Sequence, residues 1–125
     1  MTVFPEAEIA ARVPAATIST RLLEDGATTF TVVGLDDDDP SLIVIASPTA
    51  PDAMVLCAEY TFEGVRRDDV ADLVAAILQY NARLTITRGL WRFTQLSVPT
   101  AHDTYVAGRR YKHDLEPWEQ RLLVT

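Results

Sequence analysis

The sequence predicts a two-layer α+β domain in which an antiparallel sheet, a meander plus a hairpin, packs against one long central helix. The first observation is residues 67–82, where five aliphatic side chains recur on one helical face: Val70, Leu73, Val74, Ile77 and Leu78. The second is a series of β-branched and apolar runs, separated by polar turns, on both sides of that segment. A helix of this kind is stable only when its apolar face is covered, and a sheet provides that cover.

The predicted order of elements is α-ββββ-α-ββ-α within a single domain, residues 1–125. Pro5 suits the first position of a short helix over residues 5–12. Four strands are predicted before the long helix, over residues 17–24, 28–33, 42–46 and 54–62. The turns between and after them are signalled by Asp25-Gly26, by the four aspartates 36–39 with Pro40, by the two prolines within 47–52, and by Glu63-Gly64.

The long helix is predicted to start with Asp68 as a cap, and a hairpin is predicted to follow it. The hairpin strands are residues 90–98 and 104–113, joined by a turn at 99–103. Residues 83–89 are ambiguous, because their apolar and β-branched residues fit a strand whereas Arg88-Gly89 fits a turn. A short C-terminal helix is predicted over residues 117–123, with the polar sides of the strands facing away from the core.

Composition predicts a globular protein with a core of its own: 125 residues, 48% hydrophobic and 23% charged. No apolar run approaches the roughly 18 residues that a membrane span needs, and the N-terminus lacks the pattern of a signal peptide. We therefore expect a cytoplasmic protein with no membrane contact. Ten arginines against one lysine indicate a GC-rich bacterial genome. Cys57 is the only cysteine and is predicted to be a buried thiol.

The net charge of −7 argues against a nucleic-acid partner, because such binding depends on neutralising phosphates. The charge is uneven along the chain. Residues 1–60 hold two arginines against ten acidic residues, and residues 61–125 hold nine basic against eight acidic residues. We expect the acidic first half to attract a basic partner.

Two groups of residues could carry chemistry. The four aspartates 36–39 lack the spaced oxygens and closing glutamate of a calcium loop, so a solvated turn is favoured. The dipeptides His102-Asp103 and His113-Asp114 are either metal ligands, or bases with orienting carboxylates, or surface histidines, and the last is favoured. The sequence has no nucleophile elbow and no phosphate-binding loop. It therefore predicts no catalytic residue, no metal ligand and no cofactor.

The last two predicted strands mix basic and aromatic side chains. Three interpretations remain open: cross-strand packing with arginine stems along the sheet, a protein-binding surface, or a surface for single-stranded nucleic acid. Packing is favoured, then protein binding, and nucleic acid is unlikely. The residues predicted to bind a partner, if any of this region does, are Trp91, Arg92, Phe93, Tyr105, Arg109 and Tyr111.

Asn81 lies near the end of the predicted long helix, and the segment Trp91-Arg92-Phe93 opens the strand that follows. On these residues, and on the order of helices and strands, the chain from Val70 onward resembles the type III secretion chaperone-like and YbjN-like superfamily. The outer helices are shorter than is usual there, and a fourth strand precedes the long helix. The resemblance implies a small, usually dimeric protein that binds other proteins without catalysis and without a cofactor.

These observations predict a non-enzymatic protein-binding domain, chaperone-like or adaptor-like, that takes its partner on the second face of the sheet or on an edge strand. Homodimer formation is left open. One alternative is an immunity-type inhibitor that blocks a toxin, which an acidic net charge would suit. A further alternative is a small enzyme or ligand-binding protein, which requires a pocket with convergent polar groups.

Overall fold

A computed structural model describes residues 9, 11–13, 17–22, 28–33, 40–46, 51–87, 93–110 and 115–123. It confirms the α+β class and the antiparallel strands. The predicted order is wrong, because five strands precede the helix and three follow it. Ile9, Ala11 and Arg12 are helical, and the other residues of the predicted helix 5–12 lie outside the described residues, as do the four aspartates 36–39.

Two sheets replace the single predicted sheet. Five strands form an antiparallel meander in chain order: β1 Thr17–Leu22, β2 Thr28–Val33, β3 Ser41–Ala46, β4 Asp52–Cys57 and β5 Tyr60–Arg66. The second sheet has three antiparallel strands: β6 Arg83–Thr87, β7 Phe93–Pro99 and β8 Thr104–Arg110. The sheets contact each other along β5 and β8, where the backbone N–H of Arg66 donates to the Tyr105 hydroxyl at 3.1 Å.

The predicted strand 54–62 is in fact two strands, joined by a tight turn at Ala58 and Glu59. Ala58 adopts a φ of 53°, a left-handed conformation that the sequence does not signal because glycine or asparagine normally occupies it. Gly64 does not end a strand as predicted. It lies inside β5 with a φ of 64°, where the register with β4 shifts, so this glycine makes a bulge and not a turn.

The helix that follows β5, which we call α1, spans Arg67–Leu78 and is shorter than the predicted 67–82. It ends because Tyr80 turns left-handed, with a φ of 59°. The N–H groups of Tyr80 and Asn81 then donate back to the carbonyls of Ile77 and Ala76 at 3.1 and 2.7 Å. This is the Schellman pattern of helix termination, formed here without glycine. The predicted cap at Asp68 is also wrong, because the helix starts after Arg66 with no side-chain cap.

A single cluster of buried residues joins both sheets and both helices. All five residues of the predicted apolar helix face are buried, and so are Ala71, Ala75 and Ala76, because α1 contacts β4, β5 and β7. The second helix, α2, spans Pro117–Leu122 and begins with a capping box of Glu116 and Glu119. Leu123 then pairs with Leu84 of β6 in a parallel bridge.

None of the described helices is both long enough and apolar enough to cross a membrane.

Candidate protein-binding face

The five-stranded sheet has an apolar side that does not face the core. Along β3 and β4 the side chains alternate, so that Leu42, Val44 and Val55 are buried. The intervening residues point to the opposite side of the sheet. Four of them are large and apolar, and we call this group the outer apolar face: Ile43, Ile45, Met54 and Leu56. Ile43 is 40% exposed and the other three are half-buried.

The strand register makes these four side chains a contiguous block. Ile43 lies opposite Leu56 and Ile45 lies opposite Met54, so each pair consists of cross-strand neighbours. Thr61 of β5 continues the row beyond Leu56. The prediction that the strands turn polar residues away from the core is therefore wrong here. The signal was present in the continuous run of residues 42–46, which is apolar on both faces of its strand.

Exposed charged side chains lie beside this face. Asp52 begins β4, Glu59 lies in the turn before β5, and Glu63 lies in β5. Arg66 is also exposed and lies opposite Asp52 in the strand register. The carboxylate of Glu59 also lies 3.7 Å from a guanidinium nitrogen of Arg109. Acidic groups thus outnumber basic groups among the described residues of β3, β4 and β5 and the turns between them.

The outer side of the three-stranded sheet is different in character. Its exposed or half-buried residues are mostly small or polar: Arg83, Thr85, Thr87, Gln95, Ser97, Thr104 and Gly108. Two large apolar side chains are exposed, Phe93 at 45% and Val106 at 49%. They are not cross-strand partners, because Phe93 lies opposite Thr87 and Arg110 whereas Val106 lies opposite Ser97. This side therefore resembles an ordinary solvated sheet surface.

The structure does not gather the six sequence-predicted binding residues on one surface. Phe93 is exposed on the outer side of its sheet, whereas Tyr105 and Arg109 point inward and contact buried carboxylates. Trp91, Arg92 and Tyr111 lie outside the described residues. Their part in binding stays a prediction.

Arg109 contacts Glu119, a carboxylate that is 1% exposed. Nη2 of Arg109 donates to both carboxylate oxygens at 2.8 Å, and Nε donates at 3.1 Å. The hydroxyl of Tyr60 donates to the same carboxylate at 2.6 Å, and Trp118 packs edge-on against the Tyr60 ring. Burial, followed by the bond to Glu119, raises the pKa of Tyr60. These contacts attach α2 to β5 and β8.

A second buried carboxylate, Asp69, lies in the first turn of α1 and is fully buried. Nδ1 of His102 donates to one of its oxygens at 2.6 Å, and the Tyr105 hydroxyl donates to the other at 2.8 Å. Burial alone would raise the pKa of Asp69, but these hydrogen bonds outweigh burial and lower it. The positive end of the helix dipole acts in the same direction.

The structure therefore pairs His102 with Asp69, and not with its sequence neighbour Asp103. The carboxylate of Asp103 instead accepts the N–H of Thr104 at 2.7 Å. His113 and Asp114, the other such dipeptide, lie outside the described residues. Sequence reasoning missed Asp69 as a partner, because 33 positions separate it from His102.

A shallow cleft of about 270 Å³ lies beside this cluster, lined by Arg12, Asp72, Ala76, Asn81, Pro99, Thr100 and Ala101. Its polar groups largely bind one another. The Asp72 carboxylate accepts both the Arg12 guanidinium and the backbone N–H of Ala101, the latter at 3.0 Å. Within the described part of the chain, no three His, Cys, Asp or Glu side chains come together as a metal site.

Cys57 is buried, as predicted. Burial, followed by the nearby carboxylates of Glu119 and Glu116, raises the pKa of its thiol to about 12. A thiol with such a pKa is protonated near neutral pH and is a poor nucleophile.

Comparison with known proteins returned no match to a family model, to a curated protein or to a solved structure.

Proposed function

We propose that this chain is a non-enzymatic protein-binding domain, chaperone-like or adaptor-like, and that its partner docks on the outer apolar face. The observation that carries the proposal is the block of Ile43, Ile45, Met54 and Leu56 on the side of the sheet opposite the core. An antiparallel sheet with one face on the core usually presents polar residues on the other face. Large exposed apolar patches on a protein surface mark sites of interaction.

The contacts of the polar clusters support the same function. The buried carboxylates Asp69 and Glu119 each accept hydrogen bonds from two side chains of the protein itself. Groups satisfied in this way hold elements of the fold together, as the bonds from β5 and β8 to α2 do. The outer apolar face, in contrast, is a group of apolar side chains that the described residues leave partly exposed to water. Covering it releases water and stabilises a complex.

Site-specific photo-crosslinking tests the proposal. A photoreactive residue is placed at Ile43, at Phe93 or at Thr85, and each protein is irradiated in a lysate of the source organism. Position 43 tests the outer apolar face, position 93 tests the hairpin surface that the sequence predicted, and position 85 is a polar surface control. We expect a discrete adduct from position 43 alone. Adducts from position 93 alone would move the site to the hairpin, and equal labelling at all three positions would refute a docking site.

An immunity-type inhibitor of a toxin is the second candidate, favoured by the acidic charge beside the outer apolar face. Complementary charge would accelerate its association with a basic toxin. A toxin gene adjacent to the gene for this chain, together with rescue of cells from that toxin by the chain, would establish this candidate. Failure of rescue would leave the chaperone-like or adaptor-like assignment.

A further inference from the structure

The net charge of the chain is concentrated in the segment that builds the five-stranded sheet. Residues 17–66 contain nine acidic residues and two arginines, which leaves a net charge of −7. The remainder of the chain contains nine acidic and nine basic residues and is neutral in sum. The whole formal charge of the protein therefore belongs to the segment that also carries the outer apolar face.

The described acidic residues of this segment are accessible. Asp52, Glu59 and Glu63 are exposed. They lie on or next to β4, which carries half of the outer apolar face, and its neighbour β5. Gly64 of β5 lies close to the Asp52 side chain of β4: a Cβ added to this glycine would lie 4.0 Å from the Asp52 carboxylate. Apolar and acidic side chains are thus adjacent on one sheet.

This charge discriminates between occupants of the face. Nucleic acid and anionic membranes carry phosphates and are repelled by a chain with a net charge of −7. A second copy of the chain would add a second net charge of −7. A segment that combines apolar anchors with lysine or arginine gains apolar burial and charge attraction together.

We propose that the outer apolar face binds a basic amphipathic segment of another protein, with its apolar residues on Ile43, Ile45, Met54 and Leu56 and its cationic residues beside Asp52 and Glu63. This inference rests on the proposed function and specifies the chemistry of the partner. The apolar contacts supply affinity, and the acidic residues supply fast, selective association that weakens with salt.

Three peptides of equal length test the charge preference. All carry the same alternating isoleucine and leucine anchors, and the positions between the anchors are lysine, glutamine or glutamate. Fluorescence anisotropy with the whole chain measures their affinities at low and at high salt. We expect the lysine peptide to bind at least about tenfold more tightly than the glutamate peptide, with the glutamine peptide between them. Raising the salt concentration should reduce this difference.

Variants of the chain locate the binding. Ile43→Ser should weaken binding of the lysine peptide about tenfold. Val106→Ser, at an exposed apolar position on the other sheet, should leave the affinity unchanged. Glu63→Gln should reduce the salt dependence, with Ile43 intact. Equal losses for Ile43→Ser and Val106→Ser, or equal affinity for the lysine and glutamate peptides, would overturn the inference.

The same samples distinguish a failure of this inference from a failure of the proposed protein-binding function. Sedimentation velocity that shows self-association, abolished by Ile43→Ser but not by Val106→Ser, would mean that a second copy covers the face. That result overturns the basic partner and keeps the protein-binding role. If no peptide binds, the chain stays monomeric and position 43 gives no crosslink, both the partner chemistry and the proposed function are wrong.

Discussion

The two buried carboxylates of this protein are compensated in different ways. Glu119 faces Arg109, whose guanidinium is a permanent cation and is itself 8% exposed. Asp69 faces His102, which is 44% exposed, and the hydroxyl of Tyr105. Both carboxylates attach a helix to β8 or to the turn that precedes it. The comparison shows that equal burial does not mean equal dependence on the partner, because a partner in contact with water can be replaced by water.

Removing the guanidinium of Arg109 is expected to lower the free energy of unfolding more than any other change considered below. Arg109→Met leaves the Glu119 carboxylate buried with the Tyr60 hydroxyl and the N–H of Glu116 as its remaining donors. Breaking a buried pair in this way costs about 3–5 kcal/mol of unfolding free energy, measurable by urea denaturation. The control is the double variant Arg109→Met with Glu119→Gln, which removes the unpaired charge and should regain most of the loss. A single variant of wild-type stability would show that water reaches Glu119.

Asp69→Asn is expected to lower the free energy of unfolding by a smaller amount, about 2 kcal/mol. It weakens hydrogen bonds to a charged acceptor but leaves no buried charge. The exposed side of His102 can turn to water, and the Tyr105 hydroxyl keeps its contact with the backbone of Arg66. Urea denaturation of both variants under one condition makes the comparison. A loss as large as that of Arg109→Met would mean that the two carboxylates are equivalent.

The contribution of the Asp69 interactions to the free energy of unfolding should depend on pH in the acid range. The pKa of Asp69 is lowered in the folded protein by its bonds to His102 and Tyr105, so folding favours the ionised form. This contribution is complete above the unfolded pKa of about 3.9 and is lost as the pH falls through the lower folded value. The difference in unfolding free energy between wild type and Asp69→Asn should therefore shrink as the pH falls below about 4. A difference that stays constant in acid would contradict the assigned direction.

The two tyrosines give the smallest and most direct comparison. Tyr60→Phe removes a hydroxyl from a fully buried site, whereas Tyr105→Phe removes one from a half-buried site. We expect losses of about 2 kcal/mol and about 1 kcal/mol, since water can replace the second hydroxyl more readily than the first. Thermal and urea denaturation provide the measurement. The reverse order would assign the stronger cluster to Asp69.

The periodicity of the sequence correctly predicted those features that depend on residues close together in the chain. The apolar face of α1 and the burial of Cys57 follow from patterns within a few positions, and the structure confirms them. The sequence did not predict the turn at Ala58, because alanine does not usually adopt the left-handed conformation found there. The sequence did not predict the division into two sheets or the partners of Asp69, because both depend on contacts between positions that are distant in the chain.

The second face of the sheet was among the predicted docking sites, but the sequence did not identify the residues of the outer apolar face. A continuous apolar run such as that of β3 usually indicates a strand that is covered on both sides. In the structure one side of that run meets the core and the other side forms the outer apolar face, with Ile43 exposed. Sequence alone does not say whether the cover belongs to the same chain or to another molecule.

The attachment of α2 has a consequence for synthesis on the ribosome. Tyr60 lies 59 positions before its acceptor Glu119, and Arg109 lies ten positions before it. The meander can pair as it emerges, since each of its strands is adjacent in sequence to its neighbour. Closure of the core waits until α2 has left the exit tunnel. Until then a nascent chain carries its apolar surfaces uncovered, and a stall before residue 119 would leave it a substrate for chaperones and proteases.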